Sequence, residues 1–119
     1  MKVQSKQDER IATMTFSSVY PHYITKITKK ERTIEELHKV IEWFTGMNEA
    51  EIQKVISNQL TFKDFFDQCS LNENAILIKG SICGYKIEEI ENSLTKKVRM
   101  LDKLVDELAK GKSLEKILR

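Results

Sequence analysis

The sequence predicts a mainly α fold: a single compact domain of about five or six helices with a small two-stranded β accessory. Helix start signals recur at Thr33, Asn48 and Thr61, each followed by apolar residues at helical spacing. Near the C-terminus Leu94, Val98, Leu101, Val105 and Leu108 are spaced 4-3-4-3, with Leu104 widening the stripe. The 119 residues are 40% hydrophobic and 32% charged, with four Gly and one Pro. That suits one domain burying about 65% of the surface its unfolded chain exposes.

Residues 1–10 are polar and expected to fray, leaving 11–119 as the helical domain. Ile11-Ala12-Thr13-Met14-Thr15-Phe16 alternates in polarity and suits a short extended segment. Ser17 or Ser18 then caps a helix to about Lys30, with Pro21 tolerated in its first turn. Val19, Tyr20, Tyr23, Ile24 and Ile27 form its apolar face.

Thr33-Ile34-Glu35-Glu36 is a capping box opening a helix that buries Leu37, Val40, Ile41 and Phe44 and stops at Gly46. Asn48 opens a helix with Ile52, Val55 and Ile56 inward, and Thr61 a short one carrying Phe62, Phe65 and Phe66. Ala75-Ile76-Leu77-Ile78 favours strand, and pairing of 75–79 with 11–16 would give the accessory. Gly80 and Gly84 bracket Ser81-Ile82-Cys83, so the chain turns there. Asn92-Ser93 allows a fresh cap before the long stripe, Gly111 ends that helix and Ser113 restarts one.

Three strings resemble a known family. They are Met14-Thr15-Phe16-Ser17-Ser18-Val19-Tyr20-Pro21-His22-Tyr23, Glu42-Trp43-Phe44-Thr45-Gly46, and the run from Leu101 to Lys112 that reads LDKLVDELAKGK. They are similar to the bacterial domain-of-unknown-function family 2200, and the resemblance spans about 11–119. It implies a small, mainly helical bacterial protein and supplies no catalytic or binding residues. Ser93 departs from the proline expected there in relatives.

Several activities are disfavoured. No apolar run approaches the roughly 18 residues of a membrane span, and the start has no apolar core of a signal peptide, so the cytoplasm is expected. Cys69 and Cys83 are too few for a disulfide scaffold, and without a CxxC pair no structural zinc is expected. Nothing calls for a cofactor. Gly111-Lys112-Ser113 lacks the strand and the upstream glycine of a phosphate loop. Glu35-Glu36-Leu37-His38 holds one Glu-x-x-His pair where a di-iron site needs two, and reads as solvated surface. Asp64/Asp67 and Asp102/Asp106 have lysines nearby for ordinary pairing, and Cys83 reads as a small core residue.

Two constellations stand out. Tyr20, His22 and Tyr23 with Cys83 and Tyr85 could line a polar pocket, although the tyrosines also suit a core with hydrogen-bonded hydroxyls. Charge is segregated as well: residues 1–32 carry +4, 33–95 carry −6 and 96–119 carry +4. The basic ends offer Lys26, Lys29, Lys30 and Arg32 together with Lys96, Arg99 and Lys103 on one helical stripe, a surface for nucleic acid or simply a solvated face. Residues 33–58 also have helix-turn-helix spacing, but the second helix, with Glu49 and Glu51, would repel phosphate. The leading expectation is a non-enzymatic cytoplasmic protein acting through a protein partner or as a homodimer. A nucleic-acid-binding module comes second, and an enzyme or small-ligand receptor centred on His22, Tyr23 and Cys83 third.

Overall fold

The computed structural model describes residues 6–119, and among these the chain forms seven helices and one short hairpin. In order they are α1 (Lys6–Thr13), α2 (Phe16–Thr28), α3 (Ile34–Thr45), α4 (Glu49–Ser57) and α5 (Phe62–Asp67), then β1 (Ser81–Ile82) and β2 (Tyr85–Lys86), then α6 (Ser93–Ala109) and α7 (Leu114–Ile117). Single 3-10 turns lie at Glu73–Leu77 and Ile87–Glu89.

The long amphipathic helix α6 is the axis of the molecule. Asn92 opens it, its side chain accepting the Thr95 amide at 2.9 Å, and Val98, Leu101, Leu104, Val105 and Leu108 are all buried. Helices α1, α2, α3, α5 and α7 and strand β1 pack around it. The 4-3-4-3 stripe is therefore core and leaves no face for a coiled-coil partner. Beside it sits an aromatic cluster, with Phe16 and Phe65 ring centroids 4.7 Å apart and Phe62, Phe66 and Phe44 adjoining.

The expected caps on α3, α4 and α5 form. Thr33 and Glu36 exchange reciprocal bonds, as do Asn48 and Glu51, and the Thr61 side chain accepts the Asp64 amide at 3.2 Å. Gly46 ends α3 at φ 74°, in the left-handed region that favours glycine.

Several local expectations need correction. Residues 6–13 are helical where 6–10 should fray and 11–16 should extend; the expectation for residues 1–5 lies outside the described residues. Ile11 anchors α1 in the core and Asp8 accepts the Thr95 hydroxyl at 2.6 Å, so tertiary contacts override the local alternation. What survives of extended structure is an isolated antiparallel bridge between Thr15 and Thr61. Thr15, not Ser17 or Ser18, caps α2, which places Pro21 beyond the first turn; the helix ends at Thr28.

Residues 75–79 form no strand. Asn72 caps a 3-10 turn that buries Ala75 and leaves Ile76 73% and Leu77 52% exposed. The two-stranded piece lies just downstream: Ser81 pairs with Lys86 and Ile82 with Tyr85. Its turn residues, Cys83 and Gly84, have φ of 53° and 83°, the geometry of a two-residue hairpin turn matching strand twist. Cys83 is consequently exposed and not a core residue.

Candidate functional site

Two clusters of polar side chains are assembled from distant parts of the chain. The first is built on α6. Tyr23, buried on α2, donates its hydroxyl to Asp102 Oδ1 at 2.6 Å. Burial, and then the Asp102 carboxylate, push the Tyr23 pKa well above the usual phenol value, with Cys83 adding to the effect, so Tyr23 remains a donor. The other Asp102 oxygen pairs with Arg99 Nη1 at 3.2 Å. The Arg99 guanidinium lies 5.0 Å from the centroid of the Tyr85 ring, a cation–π distance, and the Tyr85 hydroxyl donates to Gln7 on α1 at 3.0 Å.

This cluster borders a cleft of about 500 Å³ lined by Gln7, Asp8, Tyr85, Lys86, Thr95 and Arg99 among others. A second hollow of about 340 Å³ meets it at Gln7 and Arg99 and runs past Ile11, Met14, Val19 and Val98. Together they form a trench along α1 and α6, polar at the hairpin and apolar toward Met14. Met14 and Tyr85 are each partly exposed large apolar side chains, at 36% and 40%.

The second cluster joins α2, α3 and α4. The Tyr20 hydroxyl bonds His38 Nε2, and His38 Nδ1 lies 2.5 Å from Glu49 Oε2. Gln53 donates to the other Glu49 oxygen at 3.1 Å. Hydrogen bonds from His38 and then Gln53 hold the Glu49 carboxyl below its ordinary pKa, while burial, followed by the Glu49 charge, raises that of Tyr20. These residues face a cleft of about 430 Å³.

The structure therefore divides the five residues expected around one pocket. Tyr23, through Asp102, and Tyr85 meet at Arg99; Cys83 is exposed in the hairpin turn; Tyr20 belongs to the other cluster; His22 is exposed on α2. The basic residues are divided too. Arg32 turns inward, donating to Leu108 and Lys112 carbonyls at 3.1 and 2.8 Å and to Glu36. Lys26 pairs with Asp106 at 3.1 Å, Arg99 with Asp102, and Lys103 donates to the Ser81 carbonyl at 3.1 Å. Lys29 and Lys30 are exposed and Lys96 is half-buried.

His38 was misread as a solvated residue; it is buried, 7% exposed. The signal was present, since His38, Ile41 and Thr45 lie at i, i+3 and i+7 and are all buried. Nothing local could have found Glu49 as its partner, because that contact depends on how the Gly46 turn sets α4 against α3. Among the described residues, no group of three or more His, Cys, Asp or Glu is placed to hold a metal ion.

Fold and clefts define a small single-domain helical protein with a hairpin accessory and no membrane-crossing helix among the described residues. The chain belongs to the bacterial family described as "Uncharacterized protein conserved in bacteria (DUF2200)", which matches residues 10–119. A crystal structure of the uncharacterized protein SP1917 is similar to it, with 36% identity and a TM-score of 0.87 over 96% of this chain and 94% of that one. No curated protein matches the chain.

Proposed function

We propose that this is a cytoplasmic binding protein that recognises a segment of a protein partner in the trench between α1, the hairpin and α6. The carrying observation is the preorganised Arg99 guanidinium, clamped by Asp102 on one side and stacked on Tyr85 on another. Tyr23, from the core, fixes Asp102 in turn. An arginine held this way loses little freedom when it meets a carboxylate. Apolar grips on either side, Met14 and Tyr85, favour an extended peptide over a small polar molecule. The occupant is thus an acidic side chain or chain end followed by apolar residues.

The test is affinity capture from bacterial lysate with the wild-type protein and Arg99→Gln side by side, each with nuclease and at moderate salt. A protein retained by wild type and lost from Arg99→Gln supports the proposal. Equal capture by both contradicts it, as does a yield that consists of nucleic acid and vanishes with nuclease or salt.

A further inference from the structure

We propose that Tyr20 is a nucleophilic hydroxyl, activated by His38 and Glu49, that accepts an acyl group from an uncharged or cationic activated donor. This goes beyond the peptide-binding trench and rests on a different cluster. Glu49 is ionised and only accepts, so the His38 proton sits on Nδ1, 2.5 Å from it. In the neutral tautomer that carries its proton on Nδ1, Nε2 accepts from the Tyr20 hydroxyl bonded to it. That is the order of a nucleophile–imidazole–carboxylate triad with phenol in place of alcohol.

The parts are held in place. His38 is buried on α3, and Glu49 is the first residue of α4, steadied by Gln53 one turn later. Tyr20 is half-buried and borders the 430 Å³ cleft, where an incoming acyl donor would lie. In the reaction the Tyr20 oxygen bonds to the acyl carbon as its proton passes to His38 Nε2. The bond from that carbon to its thiolate or alkoxide leaving group breaks, and the leaving group takes the proton from His38. Glu49 stabilises the transient imidazolium. The cleft wall carries Glu35, Glu42 and Glu49 against Lys39, with Ile34 as an exposed apolar patch. That charge disfavours phosphorylated or carboxylated donors.

The probe is 4-(2-aminoethyl)benzenesulfonyl fluoride, a cationic electrophile; on reaction a Tyr oxygen–sulfur bond forms, the sulfur–fluorine bond breaks and fluoride leaves. Peptide mapping by mass spectrometry reads the rate at each tyrosine of the folded protein. Tyr20 should label faster than Tyr85, although Tyr85 is 40% exposed, and the amine-bearing probe should outpace its carboxylate analogue. Glu49→Gln, a change at a half-exposed side chain, should keep the fold and slow Tyr20 labelling about a hundredfold. His38→Gln should do the same where circular dichroism shows that it folds. Labelling of Tyr85 as fast as Tyr20, preference for the carboxylate probe, or slowing by less than about tenfold in Glu49→Gln would overturn the proposal.

Discussion

Glu36 shows how one side chain can connect local and tertiary structure. It completes the α3 capping box with Thr33 and accepts Arg32, whose other donors hold the carbonyls of Leu108 and Lys112 at the end of α6. Hydrogen bonds from Arg32 and then from the Thr33 amide lower its pKa from 4.5 to about 2. A depressed carboxylate stabilises the fold above its unfolded pKa and loses that contribution as pH falls through the folded value. Part of the stability should therefore disappear between about pH 4.5 and 2. Urea midpoints across that range should fall less steeply for Glu36→Gln than for wild type; parallel curves would show that the pair contributes nothing. The capping box was legible because Thr33 and Glu36 are three residues apart. Arg32 was read as a surface cation because the carbonyls it holds lie 76 and 80 residues away.

At the scale of elements, helices with their own caps were legible, and segments whose conformation depends on neighbours were not. Helices α3 to α6 open with side chains that satisfy their first amides, information contained within a few residues. Helix α1 is tied to the fold by Ile11 entering the core and by Asp8 reaching Thr95. The run 75–78 was read as strand because four consecutive apolar residues show no helical period, yet it forms a 3-10 turn and half of the four face solvent. Gly46 gives the sharpest element-level test. A Cβ there would sit 2.8 Å from the Ser70 carbonyl oxygen, which is backbone and cannot swing away. Gly111, at φ 91°, has nothing within 4 Å of an added Cβ. Gly111→Ala should cost about 1 kcal/mol from left-handed strain alone. Gly46→Ala adds the clash and should cost about 3 kcal/mol. Equal melting points for the two variants would contradict this account of the turn.

Over the whole molecule, apolar periodicity identified the core: nearly every expected inward residue of α3 to α6 is buried. Periodicity could not show that Tyr23, Arg99 and Tyr85 would meet, since a hydrogen bond spanning 79 residues and a cation–π contact come from folding, not from spacing. The same is true of Tyr20, His38 and Glu49, which three helices bring together. Charge segregation suggested a basic face, yet Arg32, Arg99 and Lys103 are engaged with the protein's own carboxylates and carbonyls. Of these, Arg99 is held as one oriented guanidinium in a trench that is polar at the hairpin and apolar toward Met14.

The most direct test is a random peptide library selected on the immobilised wild-type protein, with the selected peptides then titrated against Arg99→Gln. The account predicts enrichment of a carboxylate followed within about three residues by apolar side chains, the reach of an extended segment along the trench. It also predicts that these peptides lose most of their affinity for the variant. Selection without an acidic preference, or equal binding to Arg99→Gln, would contradict a recognition site built around Arg99.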